Sequence, residues 1–349
     1  ELPSLPGDGR TGAHLETLVV QVNVVYGLPQ GLVDRPATEL AEILGGPTLI
    51  HIPGRADPPL FVSVLLHGNE TSGWNGVRQL LQETPRPSRS MILFIGNVLA
   101  AAEGLRLLPG QQDYNRIWRD ATGEEAHLAA SLIQALDGNS IHAAIDLHNN
   151  TGKNPHYSVL TDLDPGSLGL ASLFSDKAVH IQEPDTVLAR IFRGRCPAVT
   201  LELGPVGDAD CDARAKRYLD TLMSKHGLPA PSLDALQLYR SLGRMHVVEE
   251  IEFSFADEDK PTPLVLTDGM EAVNFEELPA GTAFAATNLS MQSAIRVLGP
   301  THQDVTAEFL QQEDDRITTR RSLVPAMYTK DPMVIRQDCL CYFMEKIAI

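Results

Sequence analysis

Cysteine is scarce, with four in 349 residues (Cys196, Cys211, Cys339, Cys341). Their spacings form no disulfide framework, and a reduced cytoplasmic protein is the simplest expectation. Cys339-x-Cys341 could be half of a metal site, but Leu340 and Tyr342 alternate with it as residues of a strand do. Long apolar runs are missing as well. None approaches the ~20 residues needed to span a bilayer, so no membrane partner is expected. Basic residues are outnumbered: 28 Lys and Arg face 45 Asp and Glu, for a net charge of −17. That balance argues against a nucleic-acid or anionic-membrane surface, and any anionic substrate would need locally placed arginines. Low-complexity tracts and internal repeats are lacking too. The first residue is Glu1 and not methionine, which leaves open a missing natural start or a leader already removed.

What is present is a substantial core, with 43% hydrophobic residues in a chain long enough for two domains. Residues 1–48 are loosely patterned, with a strand expected over Leu18–Val25 and a short helix over Ala37–Leu44. Buried strands are expected at Phe61–Leu66, Met91–Ile95, Ala143–Leu147, Tyr157–Leu160 and Ala198–Leu203. Helical periods fall between them, at Trp74–Gln82, Gly123–Leu136 and Asp212–His226, with a helical turn at Val187–Phe192. This alternation predicts an α/β domain over residues 1–231, its mostly parallel sheet covered by helices on both faces. After Pro229-Ala230-Pro231 the texture changes. Short strand-like runs at Val247–Phe255, Leu264–Leu266, Ala283–Thr287, Ala294–Leu298 and Val334–Ile349 predict a smaller, mainly β domain over 232–349.

The chemistry concentrates at strand ends. In Leu65-Leu66-His67-Gly68-Asn69-Glu70 an apolar run stops at an imidazole, and a carboxylate follows three residues later. His-x-x-Glu offers zinc two ligands, although alone it is a weak signal. His148 ends the run Ile145-Asp146-Leu147-His148, and Glu202 sits in Val199-Thr200-Leu201-Glu202-Leu203-Gly204. Ligands bind outside the carboxyl ends of parallel strands, so these groups should converge on one rim. His67, Glu70 and His148 then make a three-ligand zinc set with an open fourth position. Zinc lowers the pKa of bound water from about 15.7 to roughly 7. Glu202 is left over to move its proton to a leaving amine. The dipeptide Asn115-Arg116, in Asp113-Tyr114-Asn115-Arg116-Ile117-Trp118, offers an amide and a guanidinium that could hold a carboxylate in a fork.

His67-Gly-Asn-Glu70, Asp113-x-Asn115-Arg116-x-Trp118, Asp146-Leu147-His148-Asn149 and Leu201-Glu202-Leu203-Gly204 occur in that order. Together they resemble the zinc carboxypeptidase superfamily, in its succinylglutamate desuccinylase/aspartoacylase branch, over roughly residues 60–230. The resemblance implies one zinc per chain on His67, Glu70 and His148, with Glu202 as general acid and base. It implies that Asn115 and Arg116 hold a substrate carboxylate and that Asp113 orients a ligand histidine. Arg106 is the candidate for steadying the oxyanion. Tyr328, in Ala326-Met327-Tyr328-Thr329-Lys330, looks like the tyrosine that aspartoacylases bring in from the C-terminal domain. An extra arginine reads acidic substrates in this branch; Arg190, Arg193 and Arg195 compete for that role, with Arg193 carried forward. Asn149-Asn150-Thr151-Gly152 is closer to the aspartoacylase style.

The function expected from this is a cytoplasmic zinc amidohydrolase that removes a succinyl- or acetyl-type group from a small N-acyl amino acid. A carboxypeptidase acting on short peptides and a degenerate, non-catalytic binding protein are the rivals. The acyl group, the amino acid and any homo-oligomer are not given by the sequence.

Overall fold

Apolar residues on both faces of a strand require cover on both faces, and the innermost strands have it. The computed structural model describes residues 21–348. In chain order the first nine strands are β1 (Asn23–Tyr26), β2 (Thr48–Ile52), β3 (Leu60–Val64), β4 (Met91–Ile95), β5 (Ala143–Asn150), β6 (Tyr157–Leu160), β7 (Lys177–His180), β8 (Ala198–Pro205) and β9 (Gln237–Val247). They pair in the order β1-β2-β4-β3-β5-β8-β6-β7-β9. The centre is parallel, β4 with β3, β3 with β5 and β5 with β8, while β2 and β6 run antiparallel to their neighbours β4 and β8. Every residue of β3 and β4 is buried, which is why both read as unbroken apolar runs.

Helices cover the two faces separately. Trp74, Val77 and Leu80 of the helix Ser72–Glu83 share a core with Val62 and Val64. Leu128 and Leu132 of the helix Gly123–Ala135 share another with Phe61 and Phe94. Ser72–Glu83 also lies close against Ala209–Ser224, because a Cβ at Gly76 would come 2.6 Å from Ala215 Cβ. The result is the mixed α/β sheet expected from the sequence.

The later strands are β10 (Phe253–Phe255), β11 (Leu264–Leu266), β12 (Ala283–Thr287), β13 (Ile295–Leu298), β14 (Leu310–Glu313), β15 (Arg316–Thr319), β16 (Val324–Ala326) and β17 (Cys341–Ile347). Five of them form a second sheet, β10-β11-β12-β15-β14. The large sheet does not stop near residue 231: β9 continues it to β17 and β16, and β13 also pairs with β9. The cores divide where the sheet does not. The first reaches Leu238 and the second begins at Met245.

Several expected boundaries shift for local reasons. Val247–Phe255 is two strands, because the chain turns at Glu249-Glu250. Val334–Ile349 begins as a helix, Pro332–Gln337, with Pro332 in its first turn and the Asp331 carboxylate accepting from Met333 N and Val334 N. Ile349 lies outside the described residues, as do residues 18–20 of the strand expected over Leu18–Val25. The helix Pro165–Phe174, capped in the same way by Asp164, was not expected, nor were β2 and β7. No helix among the described residues is long and apolar enough to cross a membrane.

The loop after β3 is held open by its backbone. Leu65 turns to φ 57°, a left-handed conformation that ends the strand. Gly68 then passes so close to the segment 100–105 that a Cβ would lie 2.3 Å from Ala101 N and 2.6 Å from Leu105 O. Backbone cannot swing aside as a side-chain end can. Gly68→Ala is therefore expected to cost about 3 kcal/mol or more. Chemical denaturation would check this; an unchanged midpoint would mean that the loop has room.

Candidate metal centre and active site

The left-handed Leu65 and the close pass at Gly68 aim His67 back over the sheet toward the end of β5, where His148 stands. Both imidazoles meet the carboxylate of Glu70: His67 Nδ1 is 2.8 Å from Glu70 Oε1, and His148 Nδ1 is 2.8 Å from Glu70 Oε2. Each ring is braced from behind. His67 Nε2 donates to Asp113 Oδ1 at 2.9 Å, and His148 Nε2 donates to Asp146 Oδ2 at 2.9 Å. Asp146 precedes His148 by two residues on β5, so both point to one face. Asn149 then ties the parts together. Its Oδ1 accepts from Ser72 N, its Nδ2 donates to Gly204 O, and its backbone N–H donates to Glu70 Oε2.

The donor set fits a metal. One ligand atom from each of His67, Glu70 and His148 lies within 4.8 Å of the others, and all three residues are buried. Carboxylates on the far ring nitrogens fix the tautomer and leave each Nδ1 facing inward, the usual support for metal-ligating histidines. The electrostatics point the same way. Burial pulls the His148 pKa down, but Asp146 and Glu70 outweigh it and hold it well above the ordinary value. Burial and the nearby Arg106 lower His67, and Asp113 and Glu70 again raise it overall. Burial favours a protonated Glu70, yet the two imidazoles hold its pKa far below the usual range. Imidazoles shifted upward around a carboxylate shifted downward mark a place that favours positive charge, as a divalent cation would bring.

Glu202 completes the rim. It pairs in register with His148 across β5 and β8, and with Tyr157 across β8 and β6. Its side chain lines the cleft that His67, Glu70 and His148 also line. Glu202 Oε2 is buried with no hydrogen-bond partner. Burial, with Glu70 nearby, pushes its pKa up to about 7 in spite of the two histidines. A carboxyl group that titrates near neutrality and is unsatisfied can accept a proton and give it back. The cleft encloses about 760 Å³ of space with its open mouth included.

The remaining candidates separate. Arg106 lines the cleft, where Nη1 donates to Glu70 Oε1 at 3.0 Å and Nη2 to Asp113 Oδ2 at 3.4 Å. Asn115 and Arg116 also line it. Asn115 Oδ1 accepts from Leu188 N at 3.1 Å, and Arg116 Nη2 donates to Asp338 Oδ1 at 3.1 Å. Asp338 follows the helix Pro332–Gln337 and is 222 residues away in sequence from the arginine it meets.

Two expectations are corrected. Tyr328 does not face the cleft: it is 1% exposed within the second core, and its hydroxyl donates to Thr267 O at 3.3 Å. Its backbone is what approaches the rim, since a Cβ at Gly152 would come 2.2 Å from Tyr328 O. Nor does Arg193 line the cleft. Its Nε donates to Asp162 Oδ1 at 2.9 Å in a separate surface groove. Its two competitors are also occupied elsewhere, Arg190 on the carbonyls of Thr161, Ile181 and Gln182 and Arg195 on Leu136 O. Cys341 opens β17, whereas Cys339 and Leu340 precede it outside the strand, so the strand reading of Cys339-x-Cys341 holds for Cys341 alone.

No individual role was expected for Asp146, Asn149, Tyr157 or Asp338, although the first two stand in the motif around His148. Asp146 had a signal, since a carboxylate two residues before a strand-end histidine shares its face. Asp338 had none.

Comparison with known proteins fits this geometry. The family model of the succinylglutamate desuccinylase/aspartoacylase catalytic domain matches residues 56–224. Among curated proteins no sequence matches the chain. Solved structures do match it in fold. Succinylglutamate desuccinylase from Chromobacterium violaceum superposes with a TM-score of 0.54 at 18% identity, over 85% of this chain and 86% of its own. Murine aminoacylase 3 gives 0.55 at 18% identity, over 84% and 97%. Succinylglutamate desuccinylase from Vibrio parahaemolyticus gives 0.56 at 15% identity, over 84% and 83%.

The raised pKa of Glu202 has a stability consequence whose sign is fixed. The unfolded group titrates near 4.5 and the folded one near 7. The folded state therefore holds the extra proton between those values, and the associated stability is lost as pH rises through 7. In chelator-treated protein, Glu202→Gln should gain on wild type between pH 5 and pH 8 by about 3 kcal/mol at most. Urea midpoints of the two proteins across that range check it; parallel curves would contradict the shift.

Proposed function

We propose that this chain, which carries a succinylglutamate desuccinylase/aspartoacylase catalytic domain over residues 56–224, is a zinc-dependent amidohydrolase of N-acyl amino acids. One observation carries the reading. Three metal-ligating side chains converge within 4.8 Å, and an unpartnered buried carboxyl group lines the same cleft. Two imidazoles and one carboxylate are ligands that zinc accepts while keeping a position open. When bound there, zinc would polarise the scissile carbonyl and make a neighbouring water more acidic.

The chain's own residues do the rest. Glu202 takes a proton from the attacking water as its oxygen bonds to the carbonyl carbon. The same carboxyl group then delivers that proton to the amine nitrogen as the C–N bond breaks, and so ends as it began. Asp113 and Asp146 hold the histidines in one orientation. Arg106, tied to Glu70 and Asp113, brings positive charge to the side where an oxyanion would form. Asn115 and Arg116 hold a carboxylate of the substrate.

In this reading residues 1–231 form the catalytic domain, and 232–349 form a β domain that shapes the entrance. Ala326, Met327, Asp338, Tyr342 and Met344 all line the cleft. That lining favours a small substrate over a peptide threaded from one end. A cytoplasmic setting goes with the reading, as the four cysteines are free.

With zinc loaded, Glu202→Gln should retain its metal and lose ~10²–10⁴-fold in kcat on N-acyl amino acids. Metal analysis beside steady-state kinetics measures both, and turnover at the wild-type rate would overturn the assignment of Glu202. Faster cleavage of short peptides than of N-acyl amino acids by the wild type would favour a carboxypeptidase instead.

A further inference from the structure

The least expected feature of the cleft is that its carboxylate-binding arginine already holds a carboxylate. Arg116 Nη2 donates to Asp338 Oδ1 at 3.1 Å. Asp338 is also paired from behind with Arg244 of β9, whose Nη1 lies 3.5 Å from the same oxygen. Two guanidinium groups thus share one carboxylate, and the cluster keeps a single excess positive charge. A guanidinium has five N–H donors, and Arg116 uses two atoms here, Nη1 on Asn115 O and Nη2 on Asp338. Arg116 can therefore accept one further carboxylate without expelling Asp338.

A second carboxylate has no second free guanidinium or ammonium group to meet. Among the described residues, Arg106 and Arg116 are the only Lys or Arg side chains that line the cleft, and Arg106 is spent on Glu70 and Asp113. Arg190, Arg193 and Arg195 are turned to backbone carbonyls and to Asp162 and Asp185. The wall is otherwise apolar at Val159, Val179, Ile181, Val187 and Met344, and its polar members Asn149, Tyr157, Thr200 and Tyr342 carry no positive charge. An unpaired carboxylate placed there would lose its hydration without compensation.

We propose that Asp338 sets the charge the cleft accepts, making this a hydrolase of monocarboxylic N-acyl amino acids with an apolar side chain or acyl group, and not of succinylated or aspartyl substrates. This rests on the amidohydrolase reading above and narrows its substrate class. Asp338 acts by occupying Arg116 and Arg244, so removing it uncovers both.

The test compares four probes on the zinc-loaded enzyme: N-acetyl-leucine, N-hexanoyl-glycine, N-acetyl-aspartate and N-succinyl-glutamate. The better monocarboxylic probe should exceed both acidic ones by ~100-fold in kcat/KM, about 2.8 kcal/mol at tenfold per 1.4 kcal/mol. Asp338→Asn should shift that ratio toward the acidic probes by ~10-fold, mainly through KM. Preference of the wild type for either acidic probe overturns the proposal, as does a ratio unmoved in folded Asp338→Asn. If that variant does not fold, the wild-type ratio decides. Should no probe be hydrolysed, the amidohydrolase reading fails by itself. Calorimetry on Glu202→Gln then judges the cleft alone: hexanoate binding more tightly than adipate supports the inference, and the reverse order overturns it.

Discussion

Everything at the rim depends on one buried carboxylate held between two imidazoles. Glu70 touches His67 and His148 at 2.8 Å each, and Asp113 and Asp146 brace the outer nitrogens. Burying three carboxylates with two imidazoles is costly unless every charge is matched. Arg106, on Glu70 and Asp113, supplies one positive charge, and the upward-shifted histidines or a divalent cation would supply the rest. The sheet supplies the geometry. β3 delivers His67 through a left-handed Leu65, β5 carries both Asp146 and His148, and β8 sets Glu202 directly opposite His148. Asn149 joins the end of β8 to the first turn of the helix after Glu70, so the ligands cannot drift separately.

The C-terminal segment acts on this centre from the open side. Met327 N donates to Asn154 Oδ1 at 2.8 Å, and the Tyr328 carbonyl fits against Gly152, so the loop that follows β5 is packed onto 326–329. The same half of the chain sends Asp338 to Arg116. Residues from both halves of the chain therefore line the cleft. An insertion or deletion near 338 would alter charge at the cleft with no change in the ligand set.

The sequence was legible wherever function and local pattern coincide. His67, Glu70, His148 and Glu202 could be found because each interrupts an apolar run at a strand end, and the parallel sheet brings strand ends together. The buried strands β3 and β4 were legible for the same reason. What failed depended on side-chain direction or distant pairing. Tyr328 is close to the rim in sequence and backbone, but its ring turns into the second core. Arg193 is near β8 along the chain, yet an aspartate 31 residues earlier binds it. The four-residue β7, whose ends are Lys177 and His180, and the helix at Pro332 carry weak periodicity; only the Asp-Pro starts at 164–165 and 331–332 marked two of the missed helices. No local pattern could disclose that Asp338 meets Arg116.

The central claim is that the two Nδ1 atoms and the Glu70 carboxylate are metal ligands. X-ray absorption at the zinc edge, on protein loaded with one equivalent, tests it most directly. The account predicts two imidazole nitrogens at about 2.0–2.1 Å and carboxylate oxygen at about 2.0–2.2 Å, with no sulfur in the shell. The same spectrum should lose a nitrogen in His148→Ala. A sulfur-containing shell, or a spectrum unchanged by that substitution, would contradict it.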